Sequence, residues 1–169
     1  MSPWGVALDA PLARATEAVA LEPDSWRHLQ RVGLVAMRAG SFDLAAHYLG
    51  RACENGGTQE ACANLAVLLH RAGRGDEALQ VASRAEERTA SPWGAYNLAC
   101  LWAHRGERDA ALAALRRAFE SGFADILITT DPDLDSLRGD RLFEAEVEKV
   151  LGRLRARRRI ATTVFPWQG

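Results

Sequence analysis

The sequence predicts an all-α protein built from repeated pairs of helices. It is rich in Ala, Leu, Arg and Glu, which favour helix, and it carries helix-breaking glycines at a fixed interval. Gly40, Gly73 and Gly106 lie 33 residues apart. A period of about 20–50 residues is typical of stacked supersecondary units. We therefore expect one pair of helices in each period.

Small residues recur in register with these glycines. They lie seven residues before each glycine (Gly33, Ala66, Ala99), five after it (Ala45, Ala78, Ala111) and twelve after it (Ala52, Ala85, Ala118). A glycine ends a helix because it enters the left-handed conformation at little cost. Small residues then let the two antiparallel helices approach closely. Candidate helix N-caps stand at Ser41, Thr58 and Ser91, the last followed by Pro92.

This pattern resembles the tetratricopeptide repeat (TPR), in which pairs of helices stack into a solenoid. The stretch AYNLACLWAHRGERDAALAALRRAF, residues 95–119, is the best match. The resemblance implies a right-handed TPR-like α-solenoid in a single domain, 1–169. Its parts would be a half repeat, 10–22, and three repeats, 26–58, 59–91 and 92–124.

Residues 122–147 resemble the segment that ends arrays of the bacterial type. Asp131-Pro132-Asp133 predicts a turn, and Leu134 and Leu137 are expected to cover the open end of the last repeat. Asp140 would cap a final helix of about residues 141–158. We therefore expect a capping segment over residues 125–158.

The last residues, 159–169, differ in composition from the rest of the chain. Thr162-Thr163-Val164 favours extended backbone, and Pro166 disfavours helix at the residue before it. We expect this apolar tail to dock on protein through Phe165 and Trp167. It would pack on its own capping helix or in the groove of a second copy, and the second case would give self-association.

In the TPR family the first helix of each repeat lines a concave binding face, and the resemblance transfers that role to this chain. The partner-binding residues so predicted are Arg27, Arg31, Leu34, Arg38, Asn64, Val67, Arg71, Trp93, Tyr96, Asn97 and His104, with Gln30, His70 and Cys100 on the same face. Asparagine would hold a peptide backbone, Trp93 and Tyr96 would form an apolar pocket, and arginines would suit a carboxylate. One subtype binds chaperone C-termini with Lys, Asn and Arg. Only Asn64 matches that set, so this ligand is not expected.

A run of arginines in the final helix is a second candidate site: Arg153, Arg155, Arg157 and Arg158, together with Arg159. The run could simply complement the helix dipole, because glutamates begin the same helix. It could also bind nucleic acid or anionic membrane, although stacking aromatics are missing from it.

Chemistry other than binding has little support in the sequence. Cys53, Cys62 and Cys100 are odd in number and lack CxxC spacing, so neither a disulfide framework nor a zinc site is expected. Catalytic and phosphate-binding motifs are missing, so no catalytic residue and no cofactor is predicted. The N-terminus has no secretory pattern, and cytoplasm is the expected location.

The function expected from the sequence is a non-catalytic scaffold that binds a protein or peptide in its concave groove. The alternative is a regulatory adaptor that contacts nucleic acid or anionic membrane through the arginine run. Net charge is −1, so no overall field favours either of those two partners. Neither nucleic acid nor membrane is therefore expected as a partner.

Overall fold

The structure is a computed structural model that describes the backbone of residues 5–164 and the side chains of residues 10 and 12–157. Within that range the chain forms eight α-helices and two 3₁₀ helices, and no β-strand. The all-α prediction is confirmed. The chain divides into two compact units, residues 1–90 and 91–169, which are described in turn.

The described part of the first unit contains five α-helices, each packed on the next along the chain. They are α1 (Gly5–Leu21), α2 (Trp26–Arg38), α3 (Phe42–Glu54), α4 (Gln59–Arg71) and α5 (Gly75–Glu86). Connections of three residues join α2 to α3 and α4 to α5, and such short connections produce antiparallel neighbours. The core lies between these helices and is formed largely by Leu, Val and Ala.

In its described residues, the second unit contains one helix pair and the segment that follows it. Its helices are α6 (Pro92–His104), α7 (Arg108–Glu120), two 3₁₀ helices (Ile126–Thr129 and Pro132–Leu137) and α8 (Arg141–Val164). The second 3₁₀ helix packs on α6, whereas α8 packs on α7 and on the first 3₁₀ helix. The first helices α2, α4 and α6 thus begin 33 residues apart.

The turn inside each helix pair is made by glycine in the left-handed conformation. The φ angles of Gly40, Gly73 and Gly106 are 73°, 76° and 74°. In each turn the residue after the glycine donates its N–H to a carbonyl five residues back, at 2.9 Å. This Schellman arrangement satisfies carbonyls at the end of the first helix, and it requires φ values that other residues adopt only with strain.

Small side chains lie where the paired helices meet. Ala45, Ala78 and Ala111 are completely buried. At Gly33 an added Cβ would lie 2.6 Å from Leu49 Cγ, so α2 and α3 approach too closely there for any side chain. The periodic small residues of the sequence are therefore contact points between helices.

Three of the four predicted helix caps form hydrogen bonds. The N–H groups of Ala61 and Gly94 donate to the hydroxyls of Thr58 and Ser91. Asp140 accepts from the first turn of α8. Ser41 precedes α3 without a hydrogen bond from its side chain to that helix.

The cysteine prediction was wrong, because Cys53 and Cys62 form a disulfide bond. Cys53 lies near the end of α3 and Cys62 near the start of α4. The short loop between these helices brings the two Cα atoms to 5.1 Å, within the range that a disulfide spans. Two cysteines nine residues apart match no recognised disulfide motif. The pairing of Cys53 with Cys62 is therefore evident only from the packing of α3 on α4.

Hydrogen bonds from an arginine that follows α5 also stabilise the loop between α3 and α4. Arg88, just after α5, donates its guanidinium hydrogens to the carbonyl oxygens of Gly57 and Cys53, the latter at 2.6 Å. The disulfide bond and the Arg88 hydrogen bonds therefore both stabilise the connection between α3 and α4.

The prediction for the start of the tail was also wrong, because α8 continues to Val164 instead of ending near residue 158. Arginine and alanine are good helix formers, and the few β-branched residues that follow cost only some tenths of a kcal/mol each. Helix propagation outweighs that local preference. Phe165 and Trp167 lie outside the described residues.

Replacing Ala78 by Leu should lower the free energy of unfolding by about 1–3 kcal/mol, because the added atoms overpack the contact between α4 and α5. Urea denaturation measures this change. The control is Ala113→Leu on the exposed face of α7, which should be nearly neutral. An Ala78→Leu protein as stable as the control would contradict the helix register.

Reduction should lower the free energy of unfolding by about 2–3 kcal/mol, because the disulfide closes a short loop in the unfolded chain. The measurement is urea denaturation with and without reductant. A Cys53→Ala/Cys62→Ala protein should not respond to reductant. Thiol titration of the denatured, unreduced protein should find one thiol, Cys100; three thiols would show that the bond is not formed.

Candidate partner-binding surfaces

One side of α2 carries a shallow cavity of about 450 Å³. We call this surface the α2 face; the residues that line it are Trp26, Arg27, Gln30, Arg31, Leu34, Val35 and Arg38. It contains all four partner-binding residues that the sequence predicts on this helix. Three of the seven lining residues are arginines and none is acidic.

The α2 face follows from helix geometry. Trp26, Gln30, Leu34 and Arg38 recur every four residues, which aligns their side chains along the helix. The Arg27 guanidinium lies 4.7 Å from the centroid of the Trp26 ring, which is a cation–π contact. Sequence reasoning missed Trp26, although its four-residue spacing from Gln30 and Leu34 could have revealed it.

Two polar side chains of this row interact with residues around the start of α4. Gln30 accepts a hydrogen bond through Oε1 from the Thr58 hydroxyl at 2.9 Å, which leaves its side-chain nitrogen to act as a donor. Near the other end, burial raises the pKa of Glu60 on α4, and the charge of Arg38 opposes that rise. Arg38 itself is exposed.

The predicted residues on α4 differ widely in accessibility. Asn64 is only 6% exposed and lies inside the unit. Val67 and His70 are half-buried, and Arg71 is exposed. Since a buried amide cannot reach a ligand in this conformation, Arg71 is the residue of α4 best able to contact a partner.

The corresponding side of α6 is covered by the chain itself. Tyr96 is buried, and its hydroxyl donates to Asp131 Oδ2 at 2.7 Å. His104 Nε2 lies 2.9 Å from Asp133 Oδ1. Burial first, and then the hydrogen bond to Asp131, raise the pKa of Tyr96 above its ordinary value. Two predicted partner-binding residues are thus engaged by the acidic turn.

Apolar contacts complete this covering of α6. Leu134 and Leu137 of the second 3₁₀ helix are buried, and the Ser136 hydroxyl donates to the Ala103 carbonyl at 3.2 Å. Cys100 Sγ lies 4.0 Å from the Asp131 carboxylate. The segment therefore lies along α6 with both polar and apolar contacts.

The apolar pocket predicted between Trp93 and Tyr96 is filled by Phe123, so it is not open to a partner. The Phe123 and Tyr96 rings stack with centroids 4.4 Å apart, and Trp93 meets Phe123 edge-on at 5.2 Å. Phe123 follows the left-handed Gly122, which returns the chain toward α6. Trp93 remains 41% exposed and Asn97 half-buried.

The arginine run of α8 is partly used inside the unit. Arg153 lies over the Phe119 ring, 3.6 Å from its centroid, and donates to the Phe119 carbonyl at 2.5 Å. Arg155 Nη1 lies 3.6 Å from the Glu148 carboxylate, and Arg157 is exposed. The Arg158 side chain lies outside the described residues.

No cluster of three or more His, Cys, Asp or Glu side chains among the described residues is arranged to hold a metal ion. None of the helices in that part of the chain combines the length and apolar character needed to cross a membrane.

Comparison with known proteins supports the fold. No protein-family profile and no curated protein sequence matches the chain. Among solved structures, it resembles the crystal structure of MamA, a TPR-containing protein, with a TM-score of 0.60 and 18% sequence identity. The match covers 90% of this chain and 91% of the MamA chain. The chain therefore has an all-α, TPR-like helical repeat fold, as predicted.

Replacing Tyr96 by Phe should lower the free energy of unfolding by about 1.5–3 kcal/mol, because it removes a buried hydrogen bond to a carboxylate. Urea denaturation at neutral pH measures the change. The control is Tyr48→Phe, which deletes the same atom from a half-buried tyrosine of the first unit. Equal stability of the Tyr96→Phe and parent proteins would contradict the role given to this contact.

Proposed function

We propose that this protein is a non-catalytic scaffold that binds a segment of a partner protein along exposed faces of its first helices. The observation that carries the proposal is the open, arginine-rich α2 face. TPR-like helical repeats generally mediate protein–protein interaction and are typically non-enzymatic. The concave groove predicted from the sequence becomes, in this proposal, a binding surface centred on α2.

The composition of the α2 face supports this role. Tryptophan and arginine are enriched among residues that dominate binding energy, and Trp26, Arg27 and Arg31 lie together here. Leu34 and Val35 add apolar surface between the charges. A surface with apolar and cationic groups in alternation suits a polypeptide with both side-chain types.

Exposure narrows the predicted set of contact residues. We retain Arg27, Arg31, Leu34 and Arg38, with Arg71 and the exposed edge of Trp93 as secondary contacts. Tyr96 and His104 are assigned instead to the internal contact with the acidic turn.

The alternative adaptor function gains no support from the described part of α8. The Arg153 side chain packs on Phe119, and Arg155 lies near Glu148, so both contribute to the second unit itself. Self-association through Phe165 and Trp167 stays a prediction.

The disulfide bond gives information about the compartment in which the proposed scaffold lies. Disulfide bonds persist in oxidising compartments and are rare in a reducing cytosol. The Cys53–Cys62 bond therefore supports an oxidising compartment in place of the predicted cytoplasm.

Site-specific photo-crosslinking tests the proposal. Incorporating p-benzoylphenylalanine at position 34 in the source cell should trap a partner protein, because Leu34 lies at the centre of the α2 face. The control is the same amino acid at position 113, replacing an exposed alanine of α7. Trapping at position 34 alone is expected. Equal trapping at both positions, or none at position 34, would contradict binding at α2.

A further inference from the structure

The second unit contains an example of how a first helix of this protein binds an acidic segment. Asp131 and Asp133 place their carboxylates on Tyr96 and His104, which lie two helical turns apart on α6. After these two aspartates, Leu134 and Leu137 are buried. The bound motif is thus Asp-x-Asp followed by leucines.

The α2 face presents equivalent positions in the first unit. Tyr96, Cys100 and His104 correspond, two 33-residue periods earlier, to Gln30, Leu34 and Arg38. Gln30 offers an N–H donor where Tyr96 offers a hydroxyl, and Arg38 is a permanent cation where His104 is a titratable one. Leu34 offers an apolar contact in the middle of the row.

The α2 face is also more strongly cationic than the covered side of α6. Arg27 and Arg31 occupy the positions that correspond to Trp93 and Asn97. With Arg38, whose charge also acts on Glu60 of α4, they place three guanidinium groups around one cavity whose described lining contains no carboxylate. Guanidinium groups form paired, charge-assisted hydrogen bonds with carboxylates, so this surface is complementary to acidic side chains.

From this correspondence we propose that the α2 face binds an acidic segment of a partner protein, with carboxylates in an Asp-x-Asp arrangement followed by leucine. The proposal rests on the scaffold function proposed above and adds the chemistry of the partner. The segment would lie along α2 as residues 131–137 lie along α6. The partner segment does not have to be a C-terminus, because both contacts in the α6 example are made by side-chain carboxylates and not by a terminal carboxylate.

The probe is a labelled synthetic peptide with the sequence of residues 129–139, TTDPDLDSLRG, titrated into the full-length protein by fluorescence anisotropy. The matched peptide, TTNPNLNSLRG, replaces each Asp by Asn and keeps the shape. Arg31→Glu/Arg38→Glu should weaken binding of the acidic peptide by about tenfold or more, equivalent to 1.4 kcal/mol. Arg84→Glu, a charge reversal on an exposed arginine of α5, should leave binding unchanged.

Each other outcome decides against the proposal. Equal affinity for the two peptides, no binding, or binding insensitive to Arg31→Glu/Arg38→Glu would overturn the acidic partner. Light scattering of the protein alone tests a second copy as the occupant, and a dimer dissociated by the same variant would also overturn it. The scaffold function is tested separately by the crosslinking at position 34. If that experiment traps a partner segment without acidic residues, the scaffold function is supported and the acidic partner is refuted.

Discussion

The close approach of paired helices at small side chains is the contact on which this fold depends. Gly33 meets Leu49 without room for a Cβ, and its repeat equivalents Ala66 and Ala99 are fully buried. Such proximity is possible because a left-handed glycine reverses the chain within three residues. A larger residue at any of these contacts would separate the helices and expose the apolar surface that stabilises each pair.

The same repeat produces two different surfaces. On α6, Tyr96 and His104 bind the chain's own acidic turn, and Phe123 fills the adjacent aromatic pocket. On α2, arginine and apolar side chains surround an open cavity. The second 3₁₀ helix buries Leu134 and Leu137 and packs on α6, so this covering stabilises the second unit. On the α2 face, by contrast, the side chains of Arg27, Arg31 and Arg38 are exposed.

Features that depend on local sequence could be predicted, and those that depend on tertiary packing could not. Gly73 and Thr58 act through their own backbone and first helical turn, so spacing and residue type revealed their roles. The contact of Tyr96 with Asp131 joins residues 35 apart, and nothing in the sequence pairs them. The disulfide likewise depends on how α3 stacks on α4. The extension of α8 is contrary to the low helix propensity of the β-branched residues near its end, which helix propagation outweighs.

Cysteine reactivity tests most directly whether the chain covers α6 and leaves α2 open. Leu34 and Cys100 occupy equivalent repeat positions, so Leu34→Cys creates a thiol on α2 that matches the natural thiol on α6. Under native, unreduced conditions a maleimide should modify position 34 rapidly and Cys100 slowly, because Cys100 is buried beside the Asp131 segment. Modification of the two thiols at equal rates would contradict this account.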